Sequence, residues 1–246
     1  RFLFASSCSV YYSFDPSEGI LTENSETSPT APYSLSKKLA EDYLRGIADE
    51  SFCPTFLRKG TVFGGSPKMR YDLVVNVFCR DAWQKGRLAV NGGGEIWRPL
   101  LSVADAAEAY VNALELPSDL VNAQAFNVSH KNYRVIELAH WIKFVLRNHR
   151  NIEVDVNYDG QGSSRSYQVS TEKFHKTFGY LPEEGITEAV TRLWQGFENG
   201  VGTDFDNPEY YNIKWFTLLD SMYRRFQQIG PLFPEKELPR VVSDAA

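Results

Sequence analysis

In the run Tyr33-Ser34-Leu35-Ser36-Lys37 a phenol and an ammonium stand four residues apart, a spacing that sets both on one face of a helix. A neighbouring positive charge favours the phenolate, and a tyrosine so placed can take a proton from an alcohol and return it near neutral pH. A serine hydroxyl at the end of an adjacent strand would complete a short relay, and Ser7 closes the apolar run Phe2-Leu3-Phe4-Ala5. The spacing alone is common in a chain with 13 tyrosines. Tyr210 and Lys214 repeat it, and we read that second pair as a pattern match without chemistry.

The elements that must position these residues follow from the hydrophobic pattern. Residues 2–5 read as a buried parallel strand. A polar loop through Asp15, Pro16, Ser17, Glu18 and Gly19 follows, and Pro29 and Pro32 introduce a helix reaching about Glu50. Pro32 suits the first helical turn, where its missing N–H is not needed. Further strands are predicted at 55–57 and 61–63, before Gly64-Gly65, and at 87–90 and 99–103, on either side of Gly92-Gly93-Gly94. Two more fall at 125–128 and 152–157. Helices are predicted over 72–84, 104–116, 135–147, 171–178, 187–199 and 210–226, and Pro231, Pro234 and Pro239 mark an extended tail. Strands alternating with helices imply an α/β fold with a mainly parallel sheet covered on both faces.

Composition narrows the function classes. With 246 residues, 43% hydrophobic and 23% charged, the chain can bury the core of one large domain, or of a domain and a smaller lobe. A net charge of -5 with scattered Lys and Arg argues against nucleic acid, which selects a basic stripe. No uninterrupted apolar stretch is long enough to cross a bilayer. Cys8, Cys53 and Cys79 are odd in number and lack ligand spacing, and the four histidines form no H-E-x-x-H. Neither a disulfide framework nor a metal centre is expected, and a reducing, cytoplasmic compartment fits.

Several segments taken in order carry a resemblance. They are Phe4-Ala5-Ser6-Ser7-Cys8-Ser9-Val10-Tyr11, then Ala31-Pro32-Tyr33-Ser34-Leu35-Ser36-Lys37-Lys38-Leu39-Ala40-Glu41, and Leu57-Arg58-Lys59-Gly60-Thr61-Val62-Phe63-Gly64. Trp97-Arg98-Pro99-Leu100-Leu101-Ser102-Val103-Ala104-Asp105 follows, then Arg165-Ser166-Tyr167 before Ser170-Thr171-Glu172-Lys173, and Leu181-Pro182. From residue 1 to about 200 the series resembles the extended short-chain dehydrogenases, the NAD-dependent epimerase/dehydratase family. The resemblance implies a Rossmann-type doubly wound parallel sheet with a smaller α/β substrate-binding lobe. Residues 1–66 would be the C-terminal part of the cofactor domain with its catalytic helix. Residues 67–246 would be mainly substrate lobe, with about 99–130 returning to the sheet. It implies Ser7 as the catalytic hydroxyl, Tyr33 as general base, Lys37 on the nicotinamide ribose and Thr61 beside the cofactor. Arg98, Arg165 and Asn76 would contact the substrate, a nucleotide-diphosphate sugar, the arginines through bidentate bonds to its diphosphate. NAD or NADP is implied as cofactor, NAD being favoured, and a homodimer through the Tyr–Lys helix, with Leu35 and Leu39 at the interface.

The chain also departs from the pattern. No G-x-G-x-x-G occurs: the triplets at Gly92, Gly160 and Gly200 have Trp97, Arg165 and Phe205 where a third glycine belongs. With Arg1 as first residue, this reads as a fragment, and weak NAD binding by these residues alone is expected. Tyr12, Thr61 and Ser102 stand where many relatives have Gly, Asn and His. Relatives that dehydrate or decarboxylate sugars carry carboxylates just after the serine, where this chain has Cys8 and Ser9. The expected activity is therefore 4-epimerisation by transient oxidation of a sugar hydroxyl. Alternatives are a reductase of the same family, with Cys8 as an acid or base, and a non-catalytic binder of sugar nucleotides.

Overall fold

The structure, a computed structural model, describes residues 1–11, 19–159 and 165–229. The loop residues Asp15, Pro16, Ser17 and Glu18, Tyr12, the Gly160-Gln161-Gly162 triplet and the proline-marked tail lie outside the described residues.

Strand β1 (Phe2–Ser7) pairs in parallel with β3 (Pro54–Lys59), which pairs in parallel with β7 (Ala125–Val128). Leu57, Phe126 and Val128 pack one face of this sheet against α3 (Val103–Glu115) and Phe174 of α6 (Glu172–Phe178). The other face carries α1 (Pro32–Gly46). The aromatic rings Phe4 and Phe56 on that face lie under the α1 cations Lys37 and Arg45. Alternation along each strand thus sends even-numbered residues of β1 and β3 toward α1 and odd-numbered ones toward α3.

β4 (Thr61–Phe63) and β6 (Trp97–Ser102) run parallel, and β8 (Lys131–Arg134) joins β6 antiparallel. β5 (Arg87–Asn91) pairs with β9 (Asp155–Asp159), and β2 (Ile20–Leu21) with β10 (Gln168–Val169). α2 (Val74–Lys85), α5 (Val135–Arg150) and α7 (Ile186–Glu198) share a large core with β5. On α5 the buried residues Val135, Leu138, Ala139, Ile142, Val145 and Leu146 repeat at the helical period. Each fully buried Leu or Ile contributes roughly 1.5–3 kcal/mol relative to exposure. α4 (Ser118–Val121) is a single turn, and α8 (Asn212–Ile229) buries no residue.

The expected α/β class and every strand–helix alternation named above are present, with shifted ends. α1 stops at Gly46, short of Glu50, because the Asp49 carboxylate accepts from the N–H groups of Ser51 and Phe52 and turns the chain. β8 has no counterpart in the expectations, since its Lys-Asn-Tyr-Arg sequence has no apolar alternation. Tyr210 lies in a 3-10 turn against Tyr71 rather than on a helix with Lys214, whose ammonium sits over Tyr211.

Candidate active site

β1 and β3 end together, Ser7 paired with Lys59 in register. Neighbouring side chains in a parallel pair point to the same face, so Ser7 and Lys59 stand side by side on the carboxyl edge of the sheet. Carboxyl edges are where doubly wound sheets take their ligands. Ser7 accepts from the Ser9 N–H at 3.2 Å, which starts a 3-10 turn over Cys8–Val10.

Helix α1 brings the phenol and ammonium to this edge. Pro32 occupies its first turn, and Ala31, at the N-cap, supplies no side-chain bond. Tyr33 is exposed, at 58%, and Lys37 Nζ lies 5.7 Å from the centre of its ring and 5.0 Å from that of Phe4. Burial pushes the Lys37 ammonium below its ordinary value, and repulsion from Lys59 adds to this. Burial lowers Lys59 as well, while the Tyr33 hydroxyl pulls it back up. Lys59 was missed among the sequence-marked residues. Its signal was a charge following Arg58 at the end of a strand whose preceding residues, Thr55–Leu57, are all buried.

The two arginines meet beside the first turn of α1. Arg98, on β6, donates to the carbonyl oxygens of Trp97, at 2.8 Å, and Arg165, and lies 5.9 Å from the Tyr167 ring. Arg165 Nη1 reaches Ser34 Oγ at 3.3 Å, tying the segment before β10 to the first turn of α1. Burial lowers the Arg98 guanidinium from its ordinary value; Tyr167 opposes this and Arg165 reinforces it. Burial pushes the Tyr167 hydroxyl well up, with Cys8 and Tyr33 adding and the two arginines opposing. Their bonds and ring contact bring Arg98, Arg165 and Tyr167 together beside the first turn of α1.

Other marked residues are engaged elsewhere. Asn76 is buried on α2, its Oδ1 accepting from Gly64 N at 3.0 Å and its Nδ2 donating to Gly64 O at 3.3 Å. It clamps the turn after β4, where Gly64 has φ +109°, a conformation other residues avoid. Thr61 opens β4 opposite Leu100. Preceding it, Gly60 passes so close to β6 that a Cβ would stand 2.7 Å from Pro99 O. Cys8 is fully buried, donates its S–H to Arg58 O at 2.9 Å and is pushed far above its ordinary value by burial. A thiol so held is a packing group, which removes the reading of Cys8 as an acid or base.

Beneath the site lies a closed polar network. Glu41, one turn beyond Lys37, is fully buried and accepts from Ser6 Oγ and from Arg58 Nε and Nη2, at 3.0 and 2.6 Å. Arg58 Nη1 donates to Tyr11 OH at 2.8 Å, and that hydroxyl donates to Asn127 Oδ1 at 2.8 Å. Asn127 N in turn donates to Glu23 at 2.7 Å. Burial opposes the Arg58 charge, yet the Glu41 hydrogen bonds outweigh it and raise the guanidinium. An apolar hollow of about 600 Å³ lies away from all these groups, along α5 between Glu95, Arg134, Trp141 and Phe144. Among the described residues, no group of His, Cys, Asp or Glu could hold a metal ion, and no helix is long and apolar enough to cross a membrane.

Known proteins share this arrangement of elements. The chain is 26% identical over 212 residues to dTDP-D-glucose 4,6-dehydratase of Mus musculus, covering 81% of this chain and 57% of that enzyme. The solved RMD of Pseudomonas aeruginosa, complexed with NADPH, superposes with a TM-score of 0.68 at 23% identity, over 81% of this chain and 67% of the other. UDP-glucose 4-epimerase of Thermotoga maritima, solved with UDP-glucose, gives a TM-score of 0.66 at 22% identity, over 81% and 63%. These structures establish a shared Rossmann-type fold, and the chain spans little more than half the length of the mouse relative. The model of the NAD dependent epimerase/dehydratase family matches residues 1–129, more than half of the sequence, and the chain belongs to that family.

Proposed function

We propose that this protein is a nicotinamide-dependent nucleotide-sugar 4-epimerase whose catalytic groups are Ser7, Tyr33 and Lys37. The features that carry the reading are Ser7 at the carboxyl end of β1 and, on α1, Lys37 beside the Tyr33 ring and over Phe4 of β1. Arg165, bonded to Arg98, reaches Ser34 in the first turn of the same helix. Tyr33 takes the proton of the sugar C4 hydroxyl, and Ser7 Oγ hydrogen-bonds the same oxygen. Lys37 supplies the positive charge that steadies the phenolate. Held by Tyr33, Lys37 and Thr61, a nicotinamide cofactor would supply reversible hydride transfer at the sugar C4. Tyr33 then gives the proton back. Arg98 and Arg165 hold the diphosphate while the sugar turns.

The donor set fits the nicotinamide ribose. Lys37 has no acidic partner among the described residues and is placed to hold a sugar hydroxyl together with Tyr33. Thr61 is assigned to the same side, NAD being favoured over NADP. Dehydration is disfavoured because Cys8 and Ser9 offer no carboxylate. Asn76 keeps one N–H for the substrate but is foremost a clamp. We divide the chain into a cofactor-side part, 1–66, and a mainly substrate-side part, 67–246, with β7 returning to the first sheet. Leu35 and Leu39, exposed at 42% and 59%, suit a homodimer through α1, and three buried, unpaired cysteines suit the cytoplasm.

The test is to offer the full-length natural protein UDP-, GDP-, CDP- and ADP-sugars with NAD or NADP and follow the sugar by NMR. Inversion at C4 is expected. A 4-keto-6-deoxy product would make the protein a dehydratase, a net reduced sugar a reductase, and binding without turnover a non-catalytic binder.

A further inference from the structure

Helix α8 has no role in the mechanism above, and it lies past residue 200, where the resemblance carried by the sequence ends. Tyr210 and Tyr211, just before it, pack against the large core. Beyond them α8 runs for 18 residues, about 27 Å, and buries none. The helix is nevertheless two-sided. Written as heptads abcdefg, Leu219 and Phe226 fall at a, Met222 and Ile229 at d, and Phe216 and Tyr223 at e, all six exposed. The opposite face carries Thr217, Asp220, Arg224 and Gln227. A continuous exposed apolar face of this kind marks a surface that binds something.

Charge identifies the occupant. The chain as a whole carries a net charge of -5, but α8 has the cations Lys214, Arg224 and Arg225 against one acid, Asp220. Asp220 is taken by Arg224, one turn on, at 2.9 Å. Lys214, 3.9 Å from the centre of the Tyr211 ring, and Arg225 have no acidic partner among the described residues. With Leu218 they line one margin of the apolar face, where cationic stems lie along apolar surface and their heads reach outward. We propose that α8 is a lipid-binding helix that lies flat in the headgroup region of an anionic membrane. Its aromatic and aliphatic face is inserted, and Lys214 and Arg225 meet lipid phosphates. The contact is peripheral, since α8 is not apolar enough to cross the bilayer. A second copy of α8 fits less well. Two-stranded helical pairs carry charges at e and g, whereas three of these four positions are Phe216, Leu218 and Tyr223. Two such helices also repel through their net positive charge, which an anionic surface attracts.

The experiment is cosedimentation of the full-length protein with vesicles of phosphatidylcholine, either alone or with one-third phosphatidylserine. Binding is expected on the anionic vesicles and should weaken with salt, which screens the charges. Met222→Glu, at the middle of the apolar face, should abolish it while leaving the urea midpoint and activity in solution unchanged. Lys214→Gln and Arg225→Gln should each weaken it about fivefold. Failure of the wild type to bind either vesicle, equal binding to both, or undiminished binding by Met222→Glu would overturn the proposal. It would also fall if vesicles were not bound and sedimentation velocity showed a dimer that Met222→Glu makes monomeric, because the occupant would then be a second copy.

Discussion

Arg58 and Lys59 are consecutive on β3 and point to opposite faces of the sheet, and the two faces treat a positive charge in opposite ways. On the α1 face Arg58 is 4% exposed, bonded through Nε and Nη2 to Glu41 and through Nη1 to Tyr11. On the other face Lys59 has a ring and no acid among the described residues. A buried ion pair whose guanidinium is bonded through Nε, Nη1 and Nη2 holds α1, β1, β3 and β7 in one arrangement and is engaged with protein. A cation with no acidic partner adds little to stability and leaves its hydrogen-bonding groups open.

Four outcomes would sharpen or break that contrast. Tyr33→Phe, at an exposed position, should lower kcat/KM of the full-length protein by about 10²–10⁴-fold. Its urea midpoint should stay where it is. A parallel loss of stability would mean that Tyr33 belongs to the scaffold. Glu41→Leu, which strands the Arg58 charge, should cost about 3–5 kcal/mol, read from urea unfolding. Lys59→Gln should change stability by only about 0.5 kcal/mol or less, and equal losses in both variants would erase the distinction between the faces. Within the network, Tyr11→Phe removes a hydroxyl that accepts from Arg58 and donates to Asn127. It should cost about 1–3 kcal/mol with the pH profile of activity unmoved.

The smallest effect is on pH-dependent stability. Lys59 is lowered in the fold from an ordinary 10.5, so in that interval the unfolded chain binds more protons than the native one. Stability contributed by this group therefore rises with pH through the interval. The Lys59→Gln variant should lose that rise. Subtracting its urea-unfolding curve from wild type, measured at increasing alkaline pH, should leave a positive slope, and a flat difference would place Lys59 in open solvent.

How far the site was legible depended on the kind of interaction. The pair Tyr33–Lys37 is set by the helical period, which a single sequence displays, and Ser7 by the end of an apolar run. Glu41 continues the same four-residue row, but nothing in the row says that Lys37 stays open while Glu41 is buried against Arg58. Arg98 and Arg165 were marked one by one, and only the crossing of β6 by the segment before β10 brings them to the same space. Asn76 was assigned to substrate from its place on the helix after Gly64-Gly65, whereas packing turned its amide back onto Gly64.

The amino-acid sequence by itself determined the alternation of strands and helices, the face shared by Tyr33 and Lys37, and the missing carboxylates at Cys8 and Ser9. Periodicity and residue type are local properties, and local sterics and hydrogen bonding enforce them. Tertiary structure alone decided that Arg58 is neutralised and Lys59 is not. Adjacent residues of a strand face opposite environments, and which environment holds the acid depends on a helix that arrives from elsewhere in the chain.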